Sequence, residues 1–378
     1  MANPPSAAFL QEVDAYEPQN DIDALSKQNM ITKKEIIKLN RNENPFGTPN
    51  SVLQNLKNLT NLHWYPDPLS TTLCNKIAKI ENISANNVVI SAGADELIDL
   101  IIRAYTEPKD KVLTIDPTFE MYKFYSRINR ATFESYQAQV NCGKTFASNI
   151  IIEKEFLEQA KAAKIIFLAR PNNPDGRFDS VIFIKTLLAN VNLVVIDEAY
   201  IEYADKPSVV SQLNNYSNLI ILRTFSKAYG LSGLRIGYGL MPKNIRKTIL
   251  KIKHPYNVNV IAQKLARVAL EDPIIPQQIS EIKQTRNDFL EKLIKLQKRY
   301  PNFWIFQTQG PFILLHFQTK KLRDQLAQFL QKKGILVRIY SNKMLKKSLR
   351  ISIGTKKDML IVYEKMRVFF EEKYNNES

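Results

Sequence analysis

The sequence predicts an α/β protein: a mostly parallel, seven-stranded sheet sandwiched by helices, followed by a smaller α+β lobe. Two observations lead there. From about Asn87 short apolar runs alternate with helical patterns, and strands that alternate with helices pair in parallel beneath helices on both faces. After Pro255 this rhythm gives way to one long helical pattern and a group of strands.

The apolar runs lie at 88–90, 111–115, 131–136, 163–168, 193–196, 219–222 and 236–240. Beyond them, Ile279, Ile282, Phe289, Leu290, Leu293 and Leu296 recur close to helical spacing, which predicts a helix over 276–297. Strands at 304–306, 312–317, 335–340 and 349–353 follow, with helices at 322–332 and 357–374. Residues 1–40 are polar and irregular and read as an arm that lies on a partner subunit or joins the smaller lobe. The expected division is therefore an arm over 1–40, a large domain over 41–255 and a small domain over 256–378.

Composition narrows the function classes. The chain has 378 residues, 44% apolar and 24% charged, which is ordinary globular composition. Cys74 and Cys142 cannot build a disulfide scaffold, so a reduced, cytoplasmic setting is expected. His63, His254 and His316 are too few and too scattered for a zinc site, and no metal is expected. No apolar run approaches the roughly 20 residues that span a bilayer. The start, Met1-Ala2-Asn3-Pro4-Pro5, has no basic segment before an apolar block, so no signal peptide is read. The formal charge of +16 is spread through helices, as at Lys283, Lys292, Lys295 and Lys298, without a basic stripe interleaved with aromatics. That favours a solvated surface over a nucleic-acid interface.

The chemistry concentrates at strand ends, where ligands sit in such sheets. Lys227 stands in Thr224-Phe225-Ser226-Lys227-Ala228-Tyr229-Gly230-Leu231-Ser232-Gly233-Leu234-Arg235, just past an apolar run. A lysine held there forms a Schiff base with an aldehyde, while the hydroxyls and Arg235 suit a phosphate nearby. An aldehyde and a phosphate on one small molecule describe pyridoxal 5′-phosphate (PLP). Asp197, in Val194-Val195-Ile196-Asp197-Glu198-Ala199-Tyr200, supplies the acid that keeps a pyridine nitrogen protonated. Tyr200 and Asn173, the latter in Arg170-Pro171-Asn172-Asn173-Pro174-Asp175-Gly176, are placed to reach the ring oxygen. Ser91-Ala92-Gly93-Ala94-Asp95-Glu96 opens a helix whose free N–H groups suit a phosphate. Asp116-Pro117-Thr118-Phe119 reads as the start of another helix, and Phe119 can stack on the ring. Arg350 and Arg338 lie in strand-like runs and need anions.

These residues, in this order, resemble the fold-type I PLP enzymes, and within them the histidinol-phosphate aminotransferase family. The likeness runs from Leu39-Asn40-Arg41-Asn42-Glu43-Asn44-Pro45-Phe46-Gly47 through Tyr65-Pro66-Asp67-Pro68 to Leu349-Arg350-Ile351. It implies a homodimer with active sites shared between subunits, acting on an amino donor and a 2-oxo acid. It implies that Lys227 carries the cofactor and that Asp197 pairs with the pyridine nitrogen. Asn173 and Tyr200 would bind the ring oxygen, and Ala94, Asp95, Ser226 and Arg235 the phosphate. Tyr65 would reach over from the other subunit. Arg350, Arg338, Tyr16 and Asn44 are the expected substrate contacts. Phe119 stands where a tyrosine is common, and Arg170 and Asp175 replace the family's usual residues, which bears on the substrate. An aromatic amino-acid aminotransferase and a threonine-phosphate decarboxylase share the constellation.

Overall fold

Residues 7–13, 32, 35–142, 146–149 and 154–375 are described by a computed structural model. In chain order the strands are β1 (Ile37–Leu39), β2 (Val88–Ser91), β3 (Lys111–Asp116), β4 (Thr132–Gln137), β5 (Gln139–Cys142), β6 (Phe146–Asn149) and β7 (Ile165–Ala169). They continue as β8 (Val194–Asp197), β9 (Leu219–Thr224), β10 (Gly237–Leu240), β11 (Phe303–Ile305), β12 (Phe312–Phe317), β13 (Ile335–Ile339) and β14 (Ser348–Ser352). All seven expected strands of the large sheet form, in the order β2-β10-β9-β8-β7-β3-β4. Only β10 runs antiparallel to its neighbours in that sheet.

Every residue of β7, β8 and β9 is buried, as a sheet covered on both faces requires. Alternation along each strand sends side chains to two separate cores. Ile166, Leu168, Val194, Ile196, Leu219 and Ile221 enter one. Ile165, Phe167, Val195, Ile220 and Leu222 enter the other.

The helices are α1 (Asn50–Leu56), α2 (Thr71–Glu81), α3 (Ala94–Tyr105), α4 (Met121–Ile128), α5 (Lys154–Ala162) and α6 (Val181–Asn190). Then come α7 (Lys243–Ile252), α8 (Val260–Ala269), α9 (Ile274–Arg299), α10 (Lys320–Lys332) and α11 (Lys356–Asn375). Pro117 does not open α4; it lies in the loop after β3, and the helix starts at Met121. Ala262, Leu265, Ala266 and Ala269 of α8 join the core of the large sheet, although they follow Pro255.

The second sheet has the order β1-β13-β14-β12-β11. Ile313, Leu315, Phe317, Leu349 and Ile351 pack one face of it against α9, α10 and α11. The opposite face carries Arg350, with Leu314 and Arg338 in register beside it. Strand β1 pairs in parallel with β13, so residues 37–39 form an edge of the smaller sheet. Those three residues are too few to show a pattern in sequence, and the β5–β6 hairpin is a further element not expected there.

Candidate active site

Adjacent parallel strands bring their carboxyl ends to one edge, and β7, β8 and β9 each end near a polar side chain of interest. Asp197 closes β8. Lys227 lies just beyond Thr224, the last residue of β9, and its Nζ stands 5.7 Å from the centre of the Tyr200 ring. Lys227 Nζ donates to the Arg41 carbonyl at 3.1 Å.

Asp197 is 6% exposed. Its Oδ2 accepts from the Tyr122 hydroxyl at 2.7 Å and its Oδ1 from the Ala199 amide at 3.0 Å. Burial raises its pKa to about 6, against the pull of those two donors. Among the described residues it has no ion-pair partner, so it is a buried acid that lacks a cation. Tyr122 went unread in the sequence because its place inside an aromatic helix start resembles core. It is core as well, with its ring stacked on Phe167 at 5.0 Å. Phe119 sits edge-on to Tyr122 at 5.6 Å and is half-buried.

Tyr200 is held from the N-terminal segment, where Asn42 Nδ2 donates to its hydroxyl at 3.0 Å. Asn42 adopts a left-handed φ of 53°, a conformation asparagine tolerates, and its Oδ1 accepts from Ser352 Oγ at 2.6 Å. Asn42 is therefore a tie between the two sheets that local sequence could not reveal. Arg350, 6% exposed, makes a second tie: Nη1 donates to Asn173 Oδ1 and Nη2 to the Asn40 carbonyl. The first bond fixes the Asn173 amide with its NH2 left as a donor. Arg350 Nε has no partner among the described residues. Arg338 lies opposite Arg350 in register, 3.6 Å from Glu120.

An anion cradle forms where α3 meets the loop after β9. No side chain caps the α3 N-terminus at Gly93. Arg235 Nη1 lies 3.5 Å from Ser226 Oγ, and its Nη2 lies 3.3 Å from Asp95 Oδ2. Gly93 has φ +89°, and a Cβ there would lie 2.8 Å from Arg235 Nη2. The helix start, Ser226 and Arg235 thus surround one small space.

Asn44 and Tyr65 have partners of their own. Asn44 bridges backbone, donating to the Ala228 carbonyl at 3.0 Å and accepting from the Phe46 amide at 2.9 Å. Tyr65 is 81% exposed and stacks on Tyr256 at 4.5 Å. Tyr16 lies outside the described residues. Arg170 and Asp175 turn out to be structural. Arg170 is buried against Glu198 at 3.4 Å and Asp175 against Arg177 at 3.3 Å. Glu198 also takes Arg223 Nη2 at 2.9 Å, so one carboxylate ties the segments after β7 and β8 to β9.

The aminotransferase class I and II family matches residues 34–366. A histidinol-phosphate aminotransferase of Arabidopsis thaliana, named as chloroplastic, is 35% identical over 96% of this chain and 85% of its own. One from Christiangramia forsetii is 37% identical over 86% of this chain and 87% of its own. The chain belongs to the histidinol-phosphate aminotransferase family. The fold agrees: the Sinorhizobium meliloti histidinol-phosphate aminotransferase solved with PLP superposes with a TM-score of 0.83 at 22% identity, over 98% of this chain and 99% of that one.

Aminotransferases of this family depend on PLP, and the residues present fit it. The uncapped α3 start, Ser226 and Arg235 suit a phosphate. A buried acid without a cation suits a pyridinium, and Lys227 supplies the amine. Among the described residues no His, Cys, Asp and Glu group could hold a metal, and no helix is long and apolar enough to cross a membrane.

Proposed function

We propose that this aminotransferase moves the amino group of L-histidinol phosphate to 2-oxoglutarate, giving imidazole acetol phosphate and L-glutamate, as a step of histidine biosynthesis. The observation that carries the reading is that Lys227 Nζ and Arg350 Nη2 donate to the adjacent carbonyls of Arg41 and Asn40, while Lys227 Nζ also stands 5.7 Å from the ring centre of Tyr200, three residues after Asp197, and Arg350 holds Asn173.

PLP supplies an electron sink for negative charge at the substrate Cα. The residues do the rest. Lys227 Nζ carries the proton taken from Cα. Asp197, its carboxylate fixed by Tyr122 and the Ala199 amide, would hold a proton on the pyridine nitrogen. Asn173 Nδ2 and the Tyr200 hydroxyl would donate to the ring oxygen, and Phe119 would stack on the ring. Ala94, Asp95, Ser226 and Arg235 would hold the phosphate. Arg350 binds the α-carboxylate of glutamate or the phosphate of histidinol phosphate, since both are anions on equivalent arms. Arg338 completes that end, and the family resemblance assigns Tyr16 and Asn44 to it as well.

The protein acts as a homodimer in this reading, with Tyr65 serving the neighbouring site. Exposed Leu62, Trp64 and Tyr65, at 57%, 64% and 81%, support an apolar surface awaiting a second copy. An arm over 1–40, a large domain and a small domain are proposed with it. The packing of α8 supports a large–small boundary inside α9 rather than at residue 255. The setting is proposed to be cytoplasmic.

Purified protein is to be incubated with 2-oxoglutarate and, separately, histidinol phosphate, phenylalanine or threonine phosphate. Glutamate formed fastest with histidinol phosphate is the expected result. Faster turnover of phenylalanine would make it an aromatic aminotransferase, and carbon dioxide from threonine phosphate a decarboxylase.

A further inference from the structure

Tyr340 follows β13 directly and is 9% exposed. Strand alternation places it on the same face as Arg338, two residues earlier, and Arg338 lies opposite Arg350. The Arg338 guanidinium is 5.5 Å from the Tyr340 ring centre. The ring packs among Phe306, Leu314 and Leu345, and Arg323 Nη1 holds its carbonyl at 3.1 Å. The phenol oxygen is buried and has no hydrogen-bond partner among the described residues, and the same holds for Arg350 Nε. Burial raises the Tyr340 pKa, while Arg350 and Arg338 lower it and Glu120 and Tyr200 raise it. The net rise keeps the phenol a neutral donor.

Two buried donors left unmade on one face are costly, and here they flank the proposed anion end of the site. A planar carboxylate is satisfied by one guanidinium fork. A phosphate ester presents three terminal oxygens and up to two charges, so it calls for further donors. We propose that the Tyr340 hydroxyl, acting with Arg350 Nε, is a specificity determinant that receives a terminal phosphate of the amine substrate and favours it over a carboxylate. The proposal rests on the histidinol-phosphate reading above.

Tyr340→Phe keeps the packed ring and removes only the hydroxyl. The holoenzyme is to be titrated with inorganic phosphate, followed by the perturbation of cofactor absorbance, and assayed with histidinol phosphate and with glutamate. In the variant the phosphate Kd is expected to rise about tenfold, the size of one hydrogen bond to a charged group. The ratio of kcat/KM for histidinol phosphate over that for glutamate should fall by a similar factor, with cofactor content unchanged. An unchanged phosphate Kd means the hydroxyl makes no bond to the anion and overturns the proposal. An equal loss for both substrates points to packing and overturns it too. If the unaltered enzyme fails to turn over histidinol phosphate, the functional reading fails, and the phosphate titration still decides the role of Tyr340.

Discussion

Two buried acids near the site titrate at unusual places, and each makes a prediction at the scale of a single residue. Burial raises Asp197 from 3.8 to about 6. For a raised group the folded state favours the proton, so its contribution is full below the unfolded pKa and is lost as pH rises through about 6. A cation bound at the carboxylate removes that loss. The rise in Tm when PLP is added to cofactor-free protein should therefore grow between about pH 5 and pH 7.5, and Asp197→Asn should flatten the growth. Differential scanning fluorimetry across that range reads it; parallel curves for the two proteins would count against the ion pair. Glu202 is raised to about 7, again mainly by burial and despite Arg223, and its Oε2 lacks a partner among the described residues. By the same sign, Glu202→Gln should stabilise the protein by on the order of 2 kcal/mol at pH 8 and hardly at pH 4.5. Urea denaturation at the two pH values tests this.

At the scale of elements, two glycines separate binding from folding. Gly93 begins α3 with φ +89°, and an added Cβ would meet only the flexible end of Arg235, at 2.8 Å. Gly93→Ala is expected to displace that guanidinium and weaken PLP binding about tenfold, with a strain cost of about 1–3 kcal/mol because φ 89°, ψ 164° is a backbone conformation nearly confined to glycine. Gly230 has φ +66° and its Cβ would meet the Gly47 carbonyl oxygen at 2.4 Å. Backbone cannot yield as a side chain does, so Gly230→Ala should cost about 2–3 kcal/mol of stability. Equilibrium dialysis of PLP distinguishes the two, and thermal melts read the cost to the fold in each. If Gly93→Ala left PLP affinity untouched, the phosphate would not be seated where α3 begins.

For the whole molecule, the decisive question is how many chains build one site. Tyr65 stacks on Tyr256 in a largely exposed pair. If Tyr65 serves the neighbouring subunit, Tyr65→Ala and Lys227→Ala should each be nearly inactive alone. Unfolded together and refolded as a mixture, they should recover about a quarter of normal activity, because half the dimers are mixed and each holds one intact site. No recovery, in a preparation shown by light scattering to be dimeric, would place Tyr65 in its own subunit's site or outside any.

Much of this protein is legible in its sequence, for a physical reason. Six of the seven apolar runs of the large sheet are largely buried on both faces, so they need no partner to be recognised; the seventh, β4, is a part-exposed edge strand. Lys227, Asp197 and Asn173 follow those runs directly, and a parallel sheet carries strand ends to one edge whatever the loops do. Tertiary structure alone settled the remainder. The hydroxyl of Tyr122 meets Asp197, Asn42 meets Tyr200, and Arg350 meets Asn173, each across a long stretch of chain. Likewise Arg170 and Asp175, which depart from the family's usual residues, pair with Glu198 and Arg177 inside the fold. Local pattern reports which side of an element is apolar; which buried charge finds which partner depends on how distant elements pack, and that information exists only once the chain has folded.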